Sequence, residues 1–165
     1  MNIGFIGTGK IATAVITGIF KSNLIYKKIT ISPRNKEIAK KLKKKFNSIK
    51  IAKNNQEVIN TCDWIILSIT PTVGQKIIKE LKFKSGQTVI SFISTITLAQ
   101  LKKAIKIKAI IVRAIPLPPV ALKKGPIPIF PPNKKIKDFF DRIGTTVEIK
   151  NENSSINFWT ISGMM

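Results

Sequence analysis

The chain opens with NIGFIGTGKIATAVITGIF, residues 2–20. An apolar run breaks at residue 7 into Gly-x-Gly-x-x-Ala and then continues with apolar residues at helical spacing. This pattern predicts a buried strand, a tight turn and a helix. Gly7 allows the sharp turn, Gly9 lets a ligand approach the backbone because it has no Cβ, and Ala12 lets the helix pack closely on the strand.

Such a turn suits a dinucleotide pyrophosphate, which would bind the free N–H groups at the start of the helix. The alternative is a glycine turn that binds no ligand. The residues predicted to hold the pyrophosphate are Ile6, Gly7, Thr8, Gly9, Lys10, Ile11 and Ala12.

Strand and helix patterns alternate along the chain as far as residue 114. Predicted strands cover residues 2–7, 28–32, 49–52, 63–69, 88–92 and 109–114. Predicted helices cover residues 10–22, 35–46, 55–60, 73–81 and 98–105. Fully apolar strands separated by helices form parallel sheets that are covered on both faces. The sequence therefore predicts an α/β fold, a Rossmann-type, doubly wound and mainly parallel sheet.

The composition changes beyond residue 115, where seven of the nine prolines lie between Pro116 and Pro132. Because proline cannot donate to a central ladder, we expect a loop or an edge strand here, with the strand over residues 127–130. A helix over residues 134–143 and a strand over 146–150 complete a predicted domain of residues 1–150. The segment 151–165 is predicted to start another helix, or a turn into one, from residue 154.

The formal net charge of +21 invites a nucleic-acid-binding interpretation. Its composition argues against this, because only three of the 29 basic residues are Arg and the Lys residues are scattered over predicted helix surfaces and loops. Aromatic residues make up only 7% of the chain, too few for an obvious stacking platform. We therefore expect no nucleic-acid partner, and an RNA-binding protein stays the least favoured alternative.

The chain contains no His and a single cysteine, Cys62, which is interpreted as a packed thiol. A single cysteine excludes a disulfide framework, and the lack of His excludes Ser-His or Cys-His catalysis and most zinc sites. No metal is therefore expected. No apolar run reaches the length of a membrane span, and the N-terminus lacks the basic region of a signal peptide. The sequence therefore predicts a cytoplasmic protein with no membrane partner.

The end of the second strand is the next diagnostic position. An NAD enzyme usually places Asp or Glu there to accept from the ribose 2′-OH. This chain has Ser32-Pro33-Arg34 and no acidic residue before Glu37. Hydroxyl and guanidinium groups can donate to a 2′-phosphate, whereas a carboxylate repels it. The sequence therefore predicts NADP, held by Ser32 and Arg34, against the alternative of a turn-capping Ser and a solvated Arg.

Polar residues also follow the fourth and fifth predicted strands. Parallel sheets bind ligands outside the carboxyl ends of their strands, so these residues are expected on the ligand-binding edge. Ordinary loop chemistry is the alternative for each. The residues predicted to border the ribose and nicotinamide are Ser68, Ile69, Thr70, Pro71 and Ser94.

Several segments, taken in order, resemble the pyrroline-5-carboxylate reductase family. They include the opening segment, Ser32-Pro33, DWIILSITP (63–71), VISFISTITLAQL (89–101), VRAIPLPPVALKKG (112–125) and FFDRIGTTVEI (139–149). The resemblance extends from Met1 to about Gly163. It implies that Asn55 lies near the adenosine ribose and that ISGMM, residues 161–165, opens a second, helical domain.

The resemblance implies NADPH-dependent reduction of a cyclic imine, 1-pyrroline-5-carboxylate, to proline by hydride transfer. In the family the helical domain forms the dimer and supplies most of the substrate pocket. That domain is missing from this chain, so the resemblance implies a homo-oligomer only together with it. No residue stands out as an acid or base, so no catalytic residue is named, and Arg113 is expected to be a structural donor at a strand end.

The chain departs from the family pattern near the expected reaction site. Thr70 replaces Lys, Ser94-Thr95 replaces Ala-Gly, Leu117-Pro118 replaces Asn-Thr, and Met164 replaces Ser. These departures leave the cofactor prediction firmer than the substrate. They keep two alternatives open, a β-hydroxyacid-type or coenzyme F420-dependent oxidoreductase and a non-catalytic NADP-binding module.

Overall fold

The computed structural model describes residues 1–154 and confirms the predicted α/β fold. Its strands are β1 (Asn2–Ile6), β2 (Lys28–Ile31), β3 (Lys50–Ile51), β4 (Trp64–Leu67), β5 (Thr88–Ser91), β6 (Ile110–Ala114), β7 (Pro126–Phe130) and β8 (Thr145–Glu148). Its helices are α1 (Lys10–Lys21), α2 (Lys36–Lys45), α3 (Asn55–Thr61), α4 (Pro71–Glu80), α5 (Leu98–Ile105) and α6 (Lys134–Phe140), with a 3₁₀ helix over Pro118–Leu122.

The eight strands form one sheet in the order β3-β2-β1-β4-β5-β6-β7-β8. Every neighbouring pair is parallel except β6 and β7. The order of the first six strands is that of a doubly wound dinucleotide-binding sheet. The chain reverses its direction of winding between β1 and β4, so a crevice forms outside the carboxyl ends of these two strands.

The sheet is buried on both faces around its central strand β4, which is apolar at every position. In β4, Trp64 and Ile66 pack into the core on one face, whereas Ile65 and Leu67 pack into the core on the other. All four residues are buried. This alternation follows from the two-residue period of a strand and fixes the strand register.

The prediction that the proline-rich segment forms a loop or an edge strand is wrong for residues 127–130. β7 pairs with β6 on one side and with β8 on the other. Pro126 and Pro128 alternate, so their missing N–H groups fall on the β6 side, where Pro128 only accepts a bond, from the Ile115 N–H. The ladder to β6 is therefore short, while the parallel ladder to β8 keeps its donors.

Two predicted helix boundaries differ from the structure by more than one residue. α4 begins at Pro71 rather than at residue 73, because proline lacks only an N–H that is unpaired at the first helical position. α6 ends at Phe140 rather than at residue 143, where the chain continues as a turn in which the Ile143 N–H donates to the Phe140 carbonyl. Ile143 is still fully buried, which explains its apolar position in the pattern. The helix or turn expected from residue 154 lies, beyond its first residue, outside the described residues.

Candidate cofactor-binding site

A cleft of about 580 Å³ opens at the carboxyl edge of the sheet, beside the ends of β1 and β4. Three loops form its walls: the glycine turn after β1, the start of α2 after β2, and the segment between β4 and α4. The lining residues are Gly7, Thr8, Gly9, Arg34, Asn35, Lys36, Glu37, Ser68, Ile69 and Thr70.

Gly7 holds two of these loops together. Its φ is +99°, a conformation that favours glycine, and a Cβ there would lie 2.1 Å from the Ser68 carbonyl oxygen. Its N–H donates to the Ser32 hydroxyl oxygen at 2.9 Å. The turn after β1 is therefore packed against the backbone after β4 and anchored to the end of β2.

Gly9 occupies the N-cap of α1 and leaves the helix start open. Its φ of −66° is ordinary, no side chain caps the helix, and no acidic residue lies in the first turn. The first helical bond runs from the Thr13 N–H to the Gly9 carbonyl at 2.9 Å. The N–H groups of residues 10–12 come before this bond and have no acceptor within the helix. A Cβ at Gly9 would meet no atom within 4 Å. This cradle fits an anionic phosphate group.

Thr8 lies between these glycines and is 4% exposed. Within residues 1–154 its buried hydroxyl oxygen has no hydrogen-bond partner. Buried polar groups are normally satisfied, so an orphaned hydroxyl on the cleft wall suits a site that a ligand completes.

The second wall carries two cations and one carboxylate. Arg34, Lys36 and Glu37 are all exposed and line the cleft, while the Asn35 side chain caps α2 by accepting from the Ile38 N–H at 3.1 Å. The sequence interpretation identified Arg34 but missed the lining positions of Lys36 and Glu37. Both follow from the α2 cap at Asn35, which turns the first helical residues toward the cleft.

Ser32 lies behind the cleft wall rather than on it. It is 1% exposed, and its hydroxyl oxygen accepts from the Gly7 N–H. Its hydroxyl proton is not committed by that bond, so a contact with a 2′-phosphate stays a prediction. Ile6 and Ala12 are fully buried and shape the turn by packing.

Other predicted site residues are more distant from the lining. Lys10, Ile11 and Pro71 sit in the first turns of α1 and α4, and Asn55 is the first residue of α3. Ser94 follows β5, where its carbonyl accepts from Arg113 Nη2 at 2.7 Å. None of these residues lines the cleft, and their contacts with a cofactor stay predictions.

Arg113 is a structural donor, as expected. It is 4% exposed, and its second guanidinium nitrogen, Nη1, lies 2.6 Å from the Glu152 carboxylate. Cys62 is likewise packed: it is 5% exposed, and burial raises the pKa of its thiol.

A larger groove of about 710 Å³ lies between α4 and α5. Its wall combines apolar residues such as Ile78, Phe83 and Ile105 with lysines. Much of it is formed by the residues that lead into β5 and β6, at the amino ends of these strands. Ligands of such sheets bind at the opposite edge, so we place the candidate site in the smaller cleft.

Across residues 1–154, no cluster of three or more potential metal-ligating side chains occurs. The helices of this part of the chain are all too short or too polar to cross a membrane.

The strand order and the open glycine turn define a Rossmann-type domain of the dinucleotide-binding class. The chain belongs to the family described as NADP oxidoreductase, coenzyme F420-dependent, whose model matches residues 2–95.

Individual relatives support the resemblance to pyrroline-5-carboxylate reductases. The Escherichia coli enzyme of that name is 27% identical over 132 residues, which are 78% of this chain and 49% of the enzyme. The Streptococcus pyogenes enzyme superposes with a TM-score of 0.81 at 24% identity, over 98% of this chain and 62% of that one. The Plasmodium falciparum pyrroline carboxylate reductase, solved with NADP bound, gives 0.79 at 22% identity, over 99% and 62%. The chain thus spans about half to two thirds of the length of these relatives.

Proposed function

We propose that the cleft binds NADP(H) and that this chain is the cofactor-binding part of an NADPH-dependent reductase of a cyclic imine, 1-pyrroline-5-carboxylate. One observation carries the proposal: the open start of α1 at Gly9 faces a cleft whose opposite wall bears Arg34 and Lys36. Uncapped N–H groups and two cations suit a ligand with several phosphates.

In this proposal the residues of the chain bind the cofactor and orient it. The N–H groups at the start of α1 hold the pyrophosphate, and the rigid Gly7 turn keeps them in place. Ser68, Ile69 and Thr70 form the wall toward the ribose and nicotinamide. When bound, NADPH would supply a hydride to the C=N carbon of the protonated imine and be oxidised to NADP⁺, while the nitrogen keeps its proton and becomes a secondary amine. Alignment at short range then contributes most of the rate, and we assign no proton donor in this chain.

The preference for NADP over NAD rests on the wall formed by the start of α2. Arg34 offers a planar donor that matches a phosphate, and Lys36 adds a second positive charge. Glu37 opposes this preference, because a carboxylate repels a 2′-phosphate and can accept from a ribose hydroxyl. We favour NADP over NAD because the two cations, Arg34 and Lys36, outnumber the one carboxylate on this wall.

The substrate assignment rests on similarity to the reductases and extends beyond this chain. In such an enzyme the imine would bind between this domain and a helical domain that also forms the homo-oligomer. We therefore expect full activity only from a protein that includes both parts.

The decisive experiment is a titration of the chain with NADPH and NADH, followed by intrinsic Trp fluorescence or calorimetry. We expect tighter binding of NADPH, and a loss of about 10- to 100-fold in NADPH affinity for Arg34→Ala, because a charge-assisted bond to phosphate is removed. Arg142→Ala is the matched control, since Arg142 is also exposed but lies near Trp64 and Asp138, away from the cleft. Equal affinity of wild type for the two cofactors would contradict the NADP assignment.

A second candidate follows from the matched family, which is described as coenzyme F420-dependent. In that case the same cleft would hold NADP(H), and the hydride would pass to or from a deazaflavin instead of an imine. Assays of the whole protein with each acceptor separate the two: NADPH oxidation that needs pyrroline-5-carboxylate supports the reductase, and oxidation that needs the deazaflavin supports the alternative.

A further inference from the structure

Arg113 joins two parts of the fold at the carboxyl edge of the sheet. It sits near the end of β6, beside Ser91 of β5, and is 4% exposed. Nη2 donates to the Ser94 carbonyl at 2.7 Å, and Nη1 donates to the Glu152 carboxylate at 2.6 Å. One buried guanidinium therefore fixes the loop after β5 and the segment after β8 relative to each other.

Glu152 extends this connection to the start of α5. The carboxylate oxygen that accepts from Arg113 also accepts from the Leu98 N–H at 2.7 Å. Leu98 is the first residue of α5, whose N-cap Thr97 has a complete capping box with Gln100. A carboxylate at a helix N-terminus is favoured by the helix dipole. One ion pair thus contacts the short loop of residues 92–97 at Ser94 and the helix that follows it at Leu98.

We propose that Arg113 and Glu152 are positioning residues that hold the β5–α5 loop, including Ser94 and Thr95, in the conformation that receives the nicotinamide end of the cofactor. This inference rests on the proposed function and on the sequence prediction that Ser94 borders the nicotinamide. Since Glu152 belongs to the segment that follows β8, any shift of that segment moves the loop as well.

The effect is specific to one end of the ligand. The adenosine phosphate and pyrophosphate would contact the Gly7–Gly9 turn and the start of α2, which share no hydrogen bond with Arg113 or Glu152 among those described. On the proposed function, the loop after β5 would border only the nicotinamide end. Loosening the ion pair lowers the fraction of molecules with a competent loop, and apparent affinity falls by that fraction.

The test compares two ligands on the same protein preparation: NADPH, and 2′-phospho-ADP-ribose, which lacks the nicotinamide. In Glu152→Gln we expect NADPH affinity to fall about five- to tenfold, because the pair with Arg113 loses its carboxylate charge and the bond from the Leu98 N–H becomes a neutral one. We expect fragment affinity to change less than about twofold. Glu148→Gln is the matched control, since Glu148 is an exposed residue of β8. Arg113→Lys provides a second variant, which keeps the charge but loses the two-armed guanidinium.

If Arg113 and Glu152 had a purely structural role, the variants would weaken the binding of both ligands alike or of neither. The reason is that the ratio of the two affinities in one preparation does not depend on the folded fraction. An unchanged ratio in both variants would therefore overturn the inference while leaving the proposed cofactor intact. Wild-type chain that binds neither ligand would overturn the proposed function and this inference with it. Wild-type chain that binds the fragment as tightly as NADPH would overturn the inference alone.

Discussion

Gly9→Ala should separate cofactor binding from stability. Gly9 has φ −66° and ψ −175°, which an alanine adopts without strain, and its Cβ would meet no atom within 4 Å. Alanine is a poorer N-cap than glycine, but it also reduces the entropy of the unfolded chain. These two effects oppose each other, so we expect the free energy of unfolding to stay within about 1 kcal/mol of wild type.

The same methyl group would occupy the cradle in front of the free N–H groups of α1. A phosphate displaced by a methyl group loses at least one charge-assisted bond of about 1.5–3 kcal/mol, which corresponds to about a 10- to 100-fold loss of affinity. The assay is a dinucleotide titration beside thermal unfolding of the same sample. Gly9→Ala that binds NADPH as wild type does would refute the assignment of the helix start as the phosphate site.

Gly7→Ala is the contrasting variant, because its Cβ would lie 2.1 Å from the Ser68 carbonyl oxygen and its φ is +99°. Strain and overpacking together should cost about 3 kcal/mol, or about 6–12 °C in Tm for a chain of this size. A Gly7→Ala protein as stable as wild type would show that the turn does not pack against the β4 loop as described.

Two further predictions concern single side chains. Ser32→Ala removes the acceptor of the Gly7 N–H, so Tm should fall by about 2–8 °C. Ser85→Ala, at an exposed serine, is the control and should leave Tm unchanged. Equal Tm values for the two variants would contradict the anchoring role of Ser32. For Asp141, partial burial raises the pKa, but hydrogen bonds from Lys137 and Thr146 outweigh it and hold the pKa below its ordinary value of 3.8. The carboxylate therefore stabilises the fold above that value and loses this effect as pH falls through its lower folded-state pKa. The difference in unfolding free energy between wild type and Asp141→Asn should accordingly shrink on acidification, and a constant difference down to about pH 2 would refute it.

The sheet could be predicted because its signals are local. Apolar strands such as 64–67 are bounded by polar turns, and the Gly-x-Gly-x-x-Ala turn marks where β1 ends and α1 begins. Apolar periodicity and turn chemistry depend on neighbouring residues, so a single sequence carries them.

The position of β7 could not be predicted, because it depends on which side of the strand each proline faces. In the sequence, Pro126 and Pro128 look like strand breakers. They are compatible with a sheet because β8 pairs with the side of β7 that keeps its N–H groups. Which distant strand pairs with it depends on the tertiary structure and not on neighbouring residues. The link from Arg113 to Glu152 is similar, since these residues lie 39 positions apart and no spacing rule connects them.

The site divides in the same way. At the proposed phosphate end, the available donors are backbone N–H groups, and the residues that matter are those whose side chains are absent or small, such as Gly7, Gly9 and Ala12. A sequence motif captures this end because any other residue would block it. At the proposed reaction end the wall includes Ser68 and Thr70, positions that many residue types could occupy without disturbing the fold. The backbone of the glycine turn therefore suits a class of cofactor, whereas Thr70 and Ser94 depart from the family pattern where, on the proposed function, substitution would alter the chemistry more than the fold.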